Sequence, residues 1–396
     1  MQRKNLHILG GLGDVSLTRK LPQIYSSGLT NDIVVSSIVD VYSSEVIGNE
    51  KSLETLFNDI KTRRLKGHID PLVFLKLKRD LLSGRTKYFQ FSPDEKFYAP
   101  FFDLVNQYPD SIVDISTPNK THLELLETIL KGTRSHILIE KPVVSSEDEV
   151  AKLTDFLSKC NGELSGRILM DAEHYSYCGN ISDYLTNFSS YCSTNLPSSN
   201  GKEIKLGRIK RMQLHLEEKE GFESQRNKDI IDFRKSGGGV FLDLGIHCLS
   251  FLNQLGAEII PERIKGKSER ENIPEISDEY HGETFMQRDF FVRGENFSGE
   301  VPVTVMVGKA RKLNRKDFYV AHEGGLVDLN VLEKRTTIYD HFGNLFSENV
   351  FLDDAFFRVY EHLINSIYNG ETPRTDLKKS LRSLTSLFEL YLHKDS

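Results

Sequence analysis

Leu6-His7-Ile8-Leu9-Gly10-Gly11-Leu12-Gly13-Asp14-Val15-Ser16 is the stretch on which the fold turns. A short apolar run stops abruptly at glycines, and a helical pattern follows from Ser16 to Ser26 with Leu17, Leu21, Ile24 and Tyr25 on one side. That is strand, tight turn, helix. The next apolar run, Ile33 to Val39, is rich in β-branched residues and closes on Asp40, as a buried parallel strand does. Together they form a β-α-β unit.

Within that unit Gly11-Leu12-Gly13-Asp14-Val15-Ser16 matches the dinucleotide fingerprint, with Ser16 in place of the third glycine or alanine. Glycines allow the tight turn and let a pyrophosphate approach the backbone, where it rests against the positive end of the following helix. Asp40 lies near the roughly 20-residue offset at which an acidic side chain accepts hydrogen bonds from the adenosine ribose. Gly11, Leu12, Gly13, Asp14, Val15 and Asp40 are therefore the first candidate cofactor contacts. No Arg stands between Val41 and Asn49 to pair with a 2′-phosphate, which favours NAD over NADP, although Ser43 and Ser44 could bond such a phosphate.

Working outward, Ser52 to Leu82 is helical and charged, an insertion relative to a minimal dinucleotide fold, and Tyr88 to Phe91 returns to a strand. Ser111 to Ser116 is a buried strand stopped by Thr117-Pro118-Asn119; a helix around His122 to Lys131 leads to the strand His136 to Ile139, which ends in Glu140-Lys141-Pro142. Alternation of this kind predicts a parallel sheet covered on both faces. A helix opened by Ser145 or Ser146 and a strand over Arg167 to Ala172 complete it. Beyond, Lys205–Glu217, Gln287–Arg293, Val301–Lys309, Asp317–Ala321 and Leu326–Leu332 are strand-like and joined by turns, which predicts antiparallel sheet. Helical stretches over Asp354–Tyr368 and Asp376–Lys394 end the chain. The expected fold class is α/β: a Rossmann domain over residues 1–173, then an α/β domain with a large, mostly antiparallel open sheet over 174–396, its last helices able to pack back on the first.

Composition narrows the function. Lys plus Arg is 51 against 57 Asp plus Glu, a net charge of −6, so no global field draws nucleic acid or anionic membrane. The local run Lys202, Lys205, Arg208, Lys210, Arg211 reads as a solvated strand edge. Cys160, Cys178, Cys192 and Cys248 have neither CxxC nor metal-ligand spacing, which fits unpaired thiols in a reducing cytosol and no metal site. Met1-Gln2-Arg3-Lys4 leads into too few apolar residues for a signal peptide, and no run approaches the roughly 20 needed to span a membrane, so a cytoplasmic protein is expected.

Two further motifs carry chemistry. Thr117-Pro118-Asn119-Lys120-Thr121-His122 and Glu140-Lys141-Pro142 both sit at carboxyl ends of parallel strands, where open α/β sheets place ligands. Ser236-Gly237-Gly238-Gly239 leads into Val240-Phe241-Leu242-Asp243-Leu244-Gly245-Ile246-His247; in a helix from Val240, Asp243 and His247 would share one face.

In this order the motifs resemble the Gfo/Idh/MocA oxidoreductases: the Gly11–Ser16 turn, Ser116-Thr117-Pro118-Asn119 with His122, Glu140-Lys141-Pro142, Gly207 before a long strand, the Gly237-Gly238-Gly239 to Asp243 to His247 block, Gly324-Gly325, and Asn369-Gly370-Glu371-Thr372-Pro373. The resemblance implies an NAD or NADP cofactor, a sugar-like substrate (a sugar, sugar phosphate, nucleotide sugar or cyclitol), and a homodimer or homotetramer built through the antiparallel sheet. It implies Lys141, His247 and Asp243 as catalytic residues, and adds Thr117, Pro118, Asn119, His122, Glu140 and Lys141 to the cofactor contacts. Neutral imidazole suits a base that takes a hydroxyl proton while hydride leaves, with Lys141 stabilising the developing alkoxide and Asp243 orienting the substrate or His247. A regulatory protein that binds sugar or nucleotide without turnover is the alternative from another class.

A second, local likeness runs to the glucose-6-phosphate dehydrogenases. His7-Ile8-Leu9-Gly10-Gly11-Leu12-Gly13-Asp14 with Arg19-Lys20-Leu21-Pro22 looks like their opening, and Asp171-Ala172-Glu173-His174-Tyr175 is similar to their Asp-His-Tyr block. It makes His174 and Tyr175, beside Asp243, candidate substrate contacts. Glu173 replaces the aspartate of that block, and Cys178 stands where its phosphate-binding lysine is expected.

Overall fold

Strands that are apolar on both faces need cover on both faces, and the first sheet shows this directly: β1 (Lys4–Leu9), β2 (Ile33–Asp40), β3 (Lys87–Gln90), β4 (Ile112–Ile115), β5 (His136–Ile139) and β6 (Leu169–Asp171) lie in the order β3-β2-β1-β4-β5-β6. Every neighbouring pair is parallel. Strands β4 and β5 are buried at every position. The computed structural model describes residues 3–13, 15–26, 28–41, 50–63, 70–91, 98–108, 110–160, 162–197, 203–219, 221–222, 225–232, 234–273, 276–277 and 281–392. Asp14, Ser43 and Ser44 lie outside them.

The chain divides into two units. The first comprises Met1–Val144, Ala151–Ala172 and Phe356–Leu377, so the helix Ala355–Asn369 belongs to it almost entirely; the second comprises Ser145–Val150, Glu173–Ala355 and Lys378–Ser396. In the first, the charged stretch after β2 resolves into the helices Glu50–Arg63 and Pro71–Leu82. The latter starts where expected of Asp70-Pro71: the Asp70 carboxylate accepts the Leu72 amide at 2.8 Å, and Pro71 needs no amide partner.

The second unit has a small hairpin, β7 (Leu196–Pro197) with β8 (Glu203–Ile204), and one large sheet. The strands of that sheet are β9 (Ile209–Glu217), β10 (Glu258–Glu269), β11 (Phe285–Arg293), β12 (Val301–Gly308), β13 (Arg315–His322), β14 (Gly325–Asn330), β15 (Arg335–Asp340) and β16 (Leu345–Val350). They lie in the order β10-β11-β12-β9-β13-β14-β15-β16, and all pairings are antiparallel except β9 with β12. The architecture is thus the α/β combination that the sequence predicts. Sequence patterning alone leaves out β10, β15 and β16. The outer two are edge strands, where one row of hydrogen bonds is missing and charge, proline and register slips are tolerated: β10 contains Pro261 and slips register between Ile260 and Lys265.

Alternation in the central strands decides what lies over the sheet. Met212, Leu214 and Leu216 of β9, Val303, Val305 and Val307 of β12, and Phe318 and Val320 of β13 are all buried on one face. In register, Val307 and Lys316 flank Leu216. Continuing the same phase brings Glu218, Lys309 and Lys316 onto that face at one end of three adjacent strands.

Candidate active site

In the first unit the glycine turn packs hard onto the sheet. Gly10 takes φ of +77°, and a Cβ there would lie 2.5 Å from the Ser116 carbonyl oxygen; one on Gly11 would lie 2.7 Å from Ile38. The chain reverses through the Gly13 amide bonding the Gly10 carbonyl at 3.1 Å, and the Leu17 amide bonding that of Gly13 at 3.0 Å. Such a turn, stripped of side chains against the strand ends, fits the backbone cradle that a dinucleotide pyrophosphate needs. Asp40 is already engaged there: its Oδ2 accepts the Leu12 amide at 2.9 Å and its Oδ1 the Val41 amide at 2.8 Å. This carboxylate ties the turn to the end of β2.

Behind the turn the helix opens with a wide π-type turn over Ser16–Lys20. Lys20 is fully buried, its ammonium 2.8 Å from Asp114 Oδ1, 2.8 Å from Glu140 Oε1, and donating to Ser116 Oγ at 2.8 Å. Tyr360 donates its hydroxyl to the other Asp114 oxygen. Burial works against the charged ammonium, but the two carboxylates outweigh it and hold the Lys20 pKa above its ordinary value. Glu140, expected beside the cofactor, is thus locked to Lys20. His122, expected there too, is fully buried with Nε2 2.9 Å from the Thr117 carbonyl and Nδ1 3.0 Å from that of Pro142. It staples the Thr117-Pro118-Asn119 turn to the Lys141-Pro142 turn, whose peptide bond is cis. Burial moves its pKa down, against the two carbonyls. Half-buried Lys141 therefore lies in the chain between two anchored neighbours, Glu140 bound to Lys20 and the Pro142 carbonyl bound to His122.

In the second unit, Gly237-Gly238-Gly239 is close-packed: Gly237 takes φ of +80° beside Ser145, and a Cβ on Gly239 would meet the Glu283 backbone at 2.5 Å. Glu283 then accepts the Phe241 amide at 2.8 Å and the Tyr391 hydroxyl. These bonds anchor a second π-type turn, Phe241–Gly245, before the helix Ile246–Gln254. Asp243 and His247 lie either side of that change in helical pitch, and each has its own partner. Asp243 Oδ2 is 3.6 Å from the Lys309 ammonium. His247 Nδ1 bonds Glu173 Oε2 at 2.5 Å, with both side chains 1% exposed.

Glu173 also caps the short turn His174–Tyr177, accepting the Tyr175 amide at 3.1 Å. The cap places the Tyr175 ring flat on His247, centroids 4.0 Å apart and 13° from parallel, and His174 edge-on at 5.1 Å. The chain of contacts runs on: the Lys316 ammonium lies 5.7 Å from the Tyr175 ring centre and 2.9 Å from Glu218, which also pairs with Lys309 and so leads back to Asp243. Burial pushes the Tyr175 phenol up to about 12, so it stays protonated. Burial also opposes ionisation of Glu218, but Lys309 and Lys316 overcome it and bring its carboxyl down to about 2.

Sequence patterning misses Glu173, except as a departure from a motif, and misses Glu218, Lys309 and Lys316 altogether. The available signal is a charged residue in the inward phase of an otherwise apolar strand. Among the described residues no group of three or more His, Cys, Asp or Glu side chains is placed to hold a metal, and no helix is long and apolar enough to cross a membrane.

The Glu218 arrangement fixes an acid dependence. A carboxyl depressed from 4.5 to about 2 contributes stability above pH 4.5 that is lost as pH falls towards 2. Glu218→Gln should remove on the order of 2–3 kcal/mol of that dependence. Unfolding midpoints of the two proteins should therefore differ at pH 5, draw closer by pH 3 and converge only at about pH 2; a constant gap would contradict the pairing.

A parallel sheet with a glycine turn at its strand ends, followed by a unit with a mostly antiparallel sheet, defines a two-unit dinucleotide-binding α/β protein. Residues 82–165 match the Gfo/Idh/MocA family model, described as an oxidoreductase family with an NAD-binding Rossmann fold. The match covers the middle of the first sheet, from Leu82 to Ser165, and the family is the one that the motifs resemble. No curated protein matches the chain. Among solved structures the fold is similar to UDP-N-acetylglucosamine 3-dehydrogenase GnnA from Acidithiobacillus ferrooxidans (15% identity, 100% of this chain and 98% of that one, TM-score 0.66). It is also similar to the aldose-aldose oxidoreductase from Caulobacter crescentus complexed with glycerol (16% identity, 99% and 97%, TM-score 0.67). A third is levoglucosan dehydrogenase in complex with NADH and levoglucosan (14% identity, 99% and 97%, TM-score 0.68).

Proposed function

We propose that this protein is an NAD(P)-dependent dehydrogenase or reductase that moves a hydride between nicotinamide and a secondary alcohol, ketone or hemiacetal carbon of a sugar-like substrate. The observation that carries the reading is the buried Glu173–His247 pair within a chain of ionised and hydroxyl groups that includes Asp243. A carboxylate accepting Nδ1–H fixes the imidazole tautomer and makes Nε2 the basic nitrogen.

His247 is the proposed base: the substrate hydroxyl proton passes to Nε2 as the carbon gives up hydride, and returns in the reductive direction. Glu173 stabilises the resulting imidazolium. Asp243 accepts a substrate hydroxyl and orients it, with His174 and Tyr175 as further substrate contacts. Lys141 is the proposed cation for the developing alkoxide. Gly11 to Val15, Asp40 and the Thr117-Pro118-Asn119 turn are the proposed cofactor contacts, with Glu140 and His122 holding that framework. Bound there, the nicotinamide supplies the hydride acceptor. A non-catalytic regulator has no use for a carboxylate-held imidazole. The GnnA, aldose-aldose oxidoreductase and levoglucosan dehydrogenase structures are those of sugar dehydrogenases or oxidoreductases by name, which supports a sugar-like substrate here.

The test is absorbance of reduced nicotinamide with both cofactors and a panel of aldoses, anhydrosugars and cyclitols. Reduction dependent on one sugar class, and lost in His247→Asn, is expected. Saturable cofactor and sugar binding without redox change across the panel would replace the enzyme with a sensor.

A further inference from the structure

If the protein is the dehydrogenase proposed, on which reading the inference rests, the charges around Asp243 say more about its substrate than the fold does. Among the described residues, the side chains that these contacts link to Asp243 are Glu173, Glu218, Lys309, Lys316 and Tyr175; Lys334 and Asp354, of opposite charge, lie further along beside Cys178. Both ammonium groups are taken within the protein: Lys309 pairs with Glu218 and Asp243, and Lys316 pairs with Glu218 and lies beside the Tyr175 ring. Three carboxylates face two lysines, and His247 adds at most one further positive charge, already matched to Glu173. The lysine side chains are only 4% and 16% exposed, so water does little to screen these pairs.

A phosphate ester carries close to two negative charges and is recognised by cations with room to bond it. Here it would have to displace Glu218 from two lysines, or sit beside the carboxylates in a weakly screened site. Cys178, which lies within electrostatic reach of Glu173 and Lys316, adds no positive charge, since burial pushes its thiol up to about 12. Uncharged hydroxyls fit the same groups well. Each donates to a carboxylate and accepts from an ammonium, so a polyol inserts among the pairs without breaking their charge balance.

We infer that the substrate is an uncharged sugar or cyclitol, not a sugar phosphate, and that Glu218 is the residue that excludes the phosphate by neutralising Lys309 and Lys316. Glu218 therefore sets specificity as well as structure.

Two measurements decide it. In the first, glucose, galactose and myo-inositol are compared with glucose 6-phosphate, galactose 6-phosphate and inositol 1-phosphate. The neutral member of the active pair is expected to have a kcat/KM about 100-fold or more above its ester; an ester that equals or exceeds its parent sugar overturns the inference while leaving the dehydrogenase reading intact. In the second, which needs no turnover, inorganic phosphate is titrated calorimetrically into the wild type and into Glu218→Gln at constant ionic strength. Saturable binding is expected only in the variant, and should vanish in the double variant Glu218→Gln, Lys316→Met. Saturable phosphate binding by the wild type that Lys316→Met abolishes would overturn the proposal. If no sugar of either kind reduces the cofactor, the dehydrogenase reading falls, and the phosphate titration still decides whether Glu218 bars anions.

Discussion

Lys141→Ala should lower turnover about 10²–10⁴-fold, the range expected for loss of a group that acts on charge or a proton in the transition state. Affinity for reduced cofactor, followed by nicotinamide fluorescence, should change only a few-fold. The structure gives the reason for separating the two effects. Lys141 stands between two positions fixed by other bonds: Glu140 is held by the Lys20 ammonium and the Pro142 carbonyl by the His122 ring. Removing the Lys141 side chain breaks neither, so the turn that carries it and the glycine turn at the end of β1 should keep their shape. Unchanged turnover in the variant would remove Lys141 from the mechanism, and a parallel collapse of cofactor affinity would show that its role is binding.

The second large effect is on stability. Lys20→Ala would leave the Asp114 carboxylate, which is fully buried, with the Ser116 and Tyr360 hydroxyls as its partners among the described residues, and would strip Glu140 of its cation. Breaking a buried pair from one side costs about 3–5 kcal/mol, because the partner charge stays desolvated. The sign with pH comes from the raised Lys20 pKa: the stabilisation is complete below the ordinary lysine value and is lost only as pH climbs through the elevated one, so the full loss should appear at neutral pH. Urea unfolding would measure it. Adding Asp114→Asn to the variant should recover part of the loss, since the uncompensated charge is then gone. A single variant as stable as the wild type would mean that Lys20 is not the counter-ion that the geometry makes it.

Both predictions join features that are far apart in the chain, and this is where reading by pattern stops. The first sheet was legible because each of its strands is a local apolar run ended by a turn signal, and the turns proposed to hold the cofactor come directly after those runs: Gly10 to Gly13 after β1, Thr117 after β4, Glu140 after β5. The edge strands β10 and β16 were not, since solvent on one side relaxes the alternation that marks a strand. His122 was recognisable as part of a motif, but whether its ring faces a ligand or two backbone carbonyls depends on where Pro142 comes to lie.

By itself the sequence determined the α/β class, the glycine turn with Asp40 at the end of the next strand, and the place of Lys141 just after a parallel strand. These are statements about local runs and spacings, and short-range sterics and hydrophobic periodicity suffice to make them. Only the tertiary structure decided which charges meet: Lys20 with Asp114 and Glu140, Glu173 with His247, Glu218 with Lys309 and Lys316. An ion pair is a property of two distant residues whose approach depends on strand register and helix packing. Its energy depends on how much water the rest of the chain removes from around it, and no window of sequence contains either quantity.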